Sequence, residues 1–81
     1  MSDNASRERT EVETVILQLL AAHGPMTGTG LAHIVKRSEQ RIVTILENLE
    51  RHGDVVPVGE NNAGLTRHRI AEHAADEVAV A

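Results

Sequence analysis

Residues 27–70, TGTGLAHIVKRSEQRIVTILENLERHGDVVPVGENNAGLTRHRI, set two helical patterns around one tight turn and follow them directly with a strand, a polar turn and a second strand. This order constrains the fold more than any other feature of the chain. Leu31, Ile34 and Val35 recur at the spacing of an inward helix face, with Thr27 or Thr29 available as its cap. Gly28 and Gly30 weaken the first turn of that helix by up to about 1 kcal/mol each if they are interior to it. Ser38 offers the next N-cap, and Ile42, Ile45, Leu46 and Leu49 fall on one face of a longer helix closed by His52 and Gly53. Val55, Val56 and Val58 read as a strand over 54–59. Pro57 lacks an N–H, so the strand should lie at a sheet edge or bulge there. Glu60, Asn61, Asn62, Ala63 and Gly64 form a turn by residue type. Residues 65–70 return as a strand, with Leu65, Arg67 and Arg69 on one face and Thr66, His68 and Ile70 on the other.

Upstream, Thr10 and Glu13 have the spacing of a capping box, and Val12, Val15, Ile16, Leu19 and Leu20 make one apolar stripe. A first helix is therefore expected over Glu11–His23, stopped by Gly24 and Pro25, with a short extended link at Met26 and Thr27. Residues 1–9 are polar and aperiodic, expected as a disordered arm. Residues 10–70 form the domain, and the acidic, Ala-rich stretch 71–81 is either a short helix or a frayed tail.

The chain has 81 residues and no Phe, Tyr, Trp or Cys. Its core must come from Leu, Ile, Val, Ala and Met, each buried aliphatic side chain contributing roughly 1.5–3 kcal/mol. A monomer of this size is marginal, and dimerisation is a natural remedy. The absence of cysteine excludes a disulfide framework, a thiol nucleophile and a cysteine zinc site. His23, His33, His52, His68 and His73 are scattered without ligand spacing, so no metal site is expected. No nucleophile elbow, phosphate loop or paired-carboxylate motif occurs; neither enzyme activity nor a cofactor is expected. A long apolar run is also missing, and residues 1–11 hold no hydrophobic signal region, so a soluble, cytoplasmic protein with no membrane partner is expected.

Net charge is −4, unevenly spread. Residues 1–22 carry −2, residues 71–81 carry −3, and residues 23–70 carry +1. A nucleic-acid partner requires a local basic face, not a basic total. The central stretch can supply one.

Ala32 is a small residue in the first helix of the pair, Leu31 and Val35 flank it inward, and Ile42 and Ile45 lie on the apolar face of the second. With the added first helix, the Gly53 stop and the hairpin, residues 11–70 resemble a winged helix-turn-helix domain. They are most similar to the small regulators of the multiple-antibiotic-resistance (MarR) and arsenic-response (ArsR) types. The resemblance implies an α+β, mostly α fold of three helices and a two- or three-stranded β-wing. Two positions depart from the pattern: Lys36 replaces the usual turn glycine, and Arg37 replaces an apolar plug. A left-handed Lys36 costs on the order of 1 kcal/mol. Arg37 implies either a turn one residue longer or a guanidinium that snorkels to solvent.

By the resemblance, the second helix of the pair enters the major groove of double-stranded DNA with Ser38, Glu39, Gln40, Arg41, Val43 and Thr44 as base contacts. Gln40 suits adenine, Arg41 guanine or a phosphate, Glu39 the cytosine amino group, and Val43 and Thr44 thymine methyls. Thr27, Lys36, Arg37, Arg67 and Arg69 would contact the backbone, with Asn61 and Asn62 at the wing tip. Lys36, Arg37 and Arg41 gather at the helix N-terminus, where a phosphate is favoured. Glu47 would either be repelled from the phosphates or pair with Arg51 four residues on. The implied role is a homodimeric transcriptional repressor, with the first helix and the termini forming the dimer surface. A rival role is a protein–protein interaction module whose acidic surface, with Glu39, Glu47, Glu50 and the tail, docks a basic partner. An accessory factor for replication, excision or partition would use the same fold.

Overall fold

The computed structural model describes residues 10–80, and their side chains as far as residue 78; the expected arm at residues 1–9 lies outside the described residues. The element order is α1 (Glu11–His23), β1 (Met26–Thr27), α2 (Gly28–Val35), α3 (Glu39–Arg51), β2 (Val55–Glu60), β3 (Thr66–Ile70) and α4 (Glu72–Val80). The fold is α+β and mostly helical, with one three-stranded antiparallel sheet in the order β1-β3-β2.

Each of the first three helices starts where its cap is written. The Glu13 amide donates to Thr10 Oγ1 at 3.1 Å and the Thr10 amide to Glu13 Oε1 at 3.0 Å, completing the capping box of α1. The Gly30 amide donates to Thr27 Oγ1 at 3.0 Å and the Arg41 amide to Ser38 Oγ at 3.2 Å, opening α2 and α3. Between them Lys36 adopts φ 60°, ψ 49°, the left-handed conformation expected of the turn. Lys36 and Arg37 both donate their amides to the Ala32 carbonyl, at 2.8 and 3.2 Å. The Arg37 guanidinium snorkels to solvent and donates to the carbonyls of Val35 and Lys36 at 3.4 and 3.3 Å. A cation thus covers the free carbonyls at the negative end of α2.

The core joins Ile16, Leu17 and Leu20 of α1, Leu31 and Ala32 of α2, Ile42, Leu46 and Leu49 of α3, and Val55 of β2. Two expectations for apolar faces need correction. Val15 is 36% exposed while Leu17 is fully buried, because α1 also packs against β3 and α4, which turns its buried stripe toward Glu13 and Leu17. Ile34 is 47% exposed instead of inward. The short helix α2 buries Leu31 and Ala32, and at roughly 100° per residue Ile34 falls well off the centre of that face.

The sheet follows from Pro57 and the wing turn. β2 is an edge strand, and its register against β3 shifts between Pro57 and Glu60, so both devices that accommodate a strand proline are in use. Gly59 within the shift has φ 113°, which a side chain would resist. At the tip, Asn61 Oδ1 accepts the amides of Ala63 and Leu65 at 2.9 and 3.0 Å. Residues 72–80 take the helical alternative. Ala71 and Ala74 are buried as α4 packs on α1.

Candidate nucleic-acid interface

The exposed surface of α3 has two unlike sides. Ser38, Gln40, Arg41 and Thr44 surround one shallow depression beside Ile45. All four are exposed, and Lys36 is exposed in the turn just before them. The Thr44 hydroxyl donates to the Gln40 carbonyl at 3.0 Å, which leaves it free to accept. This side offers a mixed set of donors and acceptors, a methyl group and two cations near a helix N-terminus, where anions are favoured.

The other side faces the hairpin. Glu39, Val43, Glu47 and Glu50 line a groove closed by Pro57, Leu65, Thr66 and His68, with Gly28 and Thr29 at one end. It is apolar at its base and anionic at its rim. The six expected base contacts are therefore not one constellation: Ser38, Gln40, Arg41 and Thr44 share a surface, while Glu39 and Val43 belong to the hairpin groove. His68 sits beneath the groove with its side chain 14% exposed and Nε2 3.5 Å from Glu50 Oε1. Its Nδ1 is buried without a hydrogen-bond partner. No role is expected for His68 from the sequence, although strand alternation puts it on the same face as the half-buried Ile70.

The cations distribute likewise. Arg67 and Arg69 are both exposed on β3, and Arg69 donates to the Ile70 carbonyl at 3.2 Å. Arg51 donates to Asn48 Oδ1 at 3.2 Å instead of turning to Glu47. Arg37 lines a separate groove with Glu11, Val12 and Val15 of α1, on a surface that shares no residue with the α3 depression. Thr27 caps α2 by accepting the Gly30 amide at 3.0 Å and pairs with Arg67 in the sheet, which leaves its hydroxyl hydrogen to donate. Asn61 braces the wing turn through its Oδ1, and Asn61 and Asn62 are both exposed. Among the described residues no three His, Asp or Glu side chains are placed to hold a metal ion.

No protein-family model matches the sequence, and no curated protein matches it. Solved structures do. The zinc-responsive MarR family member ZitR of Lactococcus lactis superposes with a TM-score of 0.80 at 22% identity, over 93% of this chain and 51% of its own. The adhesin competence repressor AdcR of Streptococcus pyogenes gives 0.82 at 20% identity, over 90% of this chain and 53% of its own. A mutant of MepR from S. aureus gives 0.81 at 18% identity, covering 90% and 55%. The chain spans about half the length of these proteins. With α2 and α3 joined through a left-handed Lys36 and the β2–β3 hairpin beside α3, the chain has the winged helix-turn-helix fold of MarR-type regulators.

Proposed function

We propose that this domain binds double-stranded DNA sequence-specifically and acts as a homodimeric transcriptional regulator by binding, not by catalysis. The observation that carries the reading is the open cluster of Ser38, Gln40, Arg41 and Thr44 at the start of α3, beside Lys36. One of the similar structures is named a repressor, which supports the direction of regulation. In this reading the N-terminal half of α3 enters the major groove, Gln40 pairs with adenine and Arg41 with guanine or a phosphate. Thr44 contacts a thymine methyl, and Glu39 and Val43 meet the groove edge nearest the hairpin. Lys36, Arg67, Arg69 and the wing tip at Asn62 hold the backbone. Arg37, turned toward α1, is left out of the contact set. Among the described residues no helix is long and apolar enough to cross a membrane.

A second reading draws on the hairpin groove. Glu39, Glu47 and Glu50 rim it, and Val43 and Leu65 are 46% and 41% exposed within it. That surface suits a basic segment of a partner protein.

Titration against duplex DNA separates the two. Four phosphate contacts per protomer (Lys36, Arg41, Arg67 and Arg69) make eight for a bound homodimer and give a slope of about −7.2 in log K against log salt, a loss of roughly 20,000-fold between about 50 and 200 mM. An Arg41→Ala, Arg67→Ala, Arg69→Ala variant should bind far more weakly and, with one contact left per protomer, with a slope near −1.8. Absence of binding by the wild type at low salt, or equal binding by the variant, refutes the DNA reading.

A further inference from the structure

We propose that His68 and Glu50 form a proton-operated clamp at the root of the wing. With His68 protonated the clamp closes and the domain holds DNA more tightly; with His68 neutral it opens. The inference rests on the DNA reading above and adds a regulation to it. His68 Nε2 lies 3.5 Å from Glu50 Oε1, with the two side chains 14% and 45% exposed. The pair joins β3, which carries Arg67 and Arg69, to α3, which carries Gln40, Arg41 and Thr44. In the sheet His68 stands opposite Met26 of β1 and Pro57 of β2, and the β2–β3 register shifts just beyond Pro57. The clamp thus sits where the wing leaves the regular ladder.

The geometry is that of a pair poised to close. A charge-assisted N–H···O bond spans about 2.7–2.9 Å, and the separation here is longer. In a neutral imidazole one nitrogen donates and the other accepts. With its hydrogen on Nε2 the ring points a donor at the carboxylate, and the buried Nδ1 keeps a lone pair without a partner. The opposite tautomer would turn a lone pair on Glu50 and bury an unpaired N–H, so it is the costlier of the two. An incoming proton therefore adds at Nδ1. The imidazolium attracts Glu50, and closing the gap carries the ring toward the open groove, where the new N–H reaches water.

The surroundings set the sign. Glu39 and Glu47 line the groove together with Glu50, so three carboxylates face the imidazolium from α3. Among the described residues the other neighbouring elements bring no cation against it. Met26 and Pro57 are uncharged, and Glu60 lies at the far end of β2 opposite Thr66. Gly28 and Thr29 are what α2 places at the groove, while its His33 is exposed. The titratable group on the buried face of α1 is Glu13, which accepts the Thr10 amide. Arg67 and Arg69 alternate onto the opposite face of β3. Protonation thus offsets one of three negative charges beside the reading helix, and it fixes the wing against that helix as phosphates approach. Because the bound state favours the proton, affinity present at low pH is lost as pH rises.

Duplex-DNA affinity at fixed salt from about pH 5.5 to 8, the range in which imidazole changes charge, tests the clamp. Heteronuclear NMR of the free protein over the same range accompanies it. The wild type should bind about tenfold more tightly at the acid end, a coupling of ordinary size. His68→Gln and Glu50→Gln should each flatten this profile; the other four histidines are common to all three proteins. In the free wild type, titration of the His68 ring should move the Glu50 amide, which should stay in place in His68→Gln. A flat wild-type profile, a profile that either variant retains, or a His68 ring that titrates without moving the Glu50 amide overturns the proposal. Absence of DNA binding at every pH removes the DNA reading, and the Glu50 amide still decides the clamp.

Discussion

Lys36→Gly should make this domain more stable while weakening its grip on DNA. Lys36 is the one non-glycine residue with positive φ among the described residues, at φ 60° and ψ 49°. The left-handed conformation costs an L-residue roughly 1–2 kcal/mol. Glycine avoids that cost but loses more chain entropy on folding, about 0.4–1 kcal/mol. The difference leaves a stabilisation of about 0.5–1 kcal/mol, a rise of roughly 2–8 °C in melting temperature for a domain of this size. The amide hydrogen bond to Ala32 is a backbone contact and survives the substitution. Lys36→Ala is the control, because alanine retains the strain and removes the same ammonium. Thermal melts followed by circular dichroism should place Lys36→Ala within about 0.5 kcal/mol of the wild type. Both variants should lose the same one phosphate contact per protomer, about 1.8 in the salt slope of a bound homodimer. Equal melting temperatures for the glycine and alanine variants would refute the strain argument.

Three further outcomes follow from packing and capping. Leu17→Ala should cost about 2–5 kcal/mol in denaturant unfolding and Val15→Ala under about 0.5 kcal/mol, the reverse of what the α1 stripe alone implies. Gly28→Ala should stabilise by about 0.4–1 kcal/mol, since a Cβ there meets Leu46, Val43 and Ile42 side chains at 3.6–3.9 Å, ordinary contact distances. Thr10→Ala removes the acceptor for the Glu13 amide and should cost about 0.5–2 kcal/mol, read by the same unfolding curves.

Much of this fold is legible in local chemistry. Thr10, Thr27 and Ser38 announce three helix starts through side chains whose acceptors fit the first free amides, and Gly24 and Gly53 mark two of the stops. Pro57 forces an edge or a bulge whatever surrounds it. What local chemistry could not set was which neighbour each apolar face meets. The helical period allows Val15 or Leu17 to point inward, and only the arrival of α4 and β3 over Leu17 decides it. Ile34 fails for the same reason: α2 buries a narrow face. The candidate site divides similarly. Residue types identified α3 and the arginines of β3 as the groups of interest. Yet the separation of Gln40 and Arg41 from Glu39 and Val43, and of Lys36 from Arg37, arises from where the hairpin and α1 lie in space.

The central claim is that DNA meets the Ser38–Thr44 side of α3 together with the wing. Backbone amide chemical shifts of labelled protein, titrated with duplex DNA at low salt, test it directly. The account predicts perturbations concentrated at Lys36, Gln40, Arg41 and Thr44, and at Asn62, Arg67 and Arg69, with the amides of Val12, Val15 and Leu19 on α1 unmoved. Perturbations centred on α1, or a titration that leaves the α3 amides in place, would contradict it.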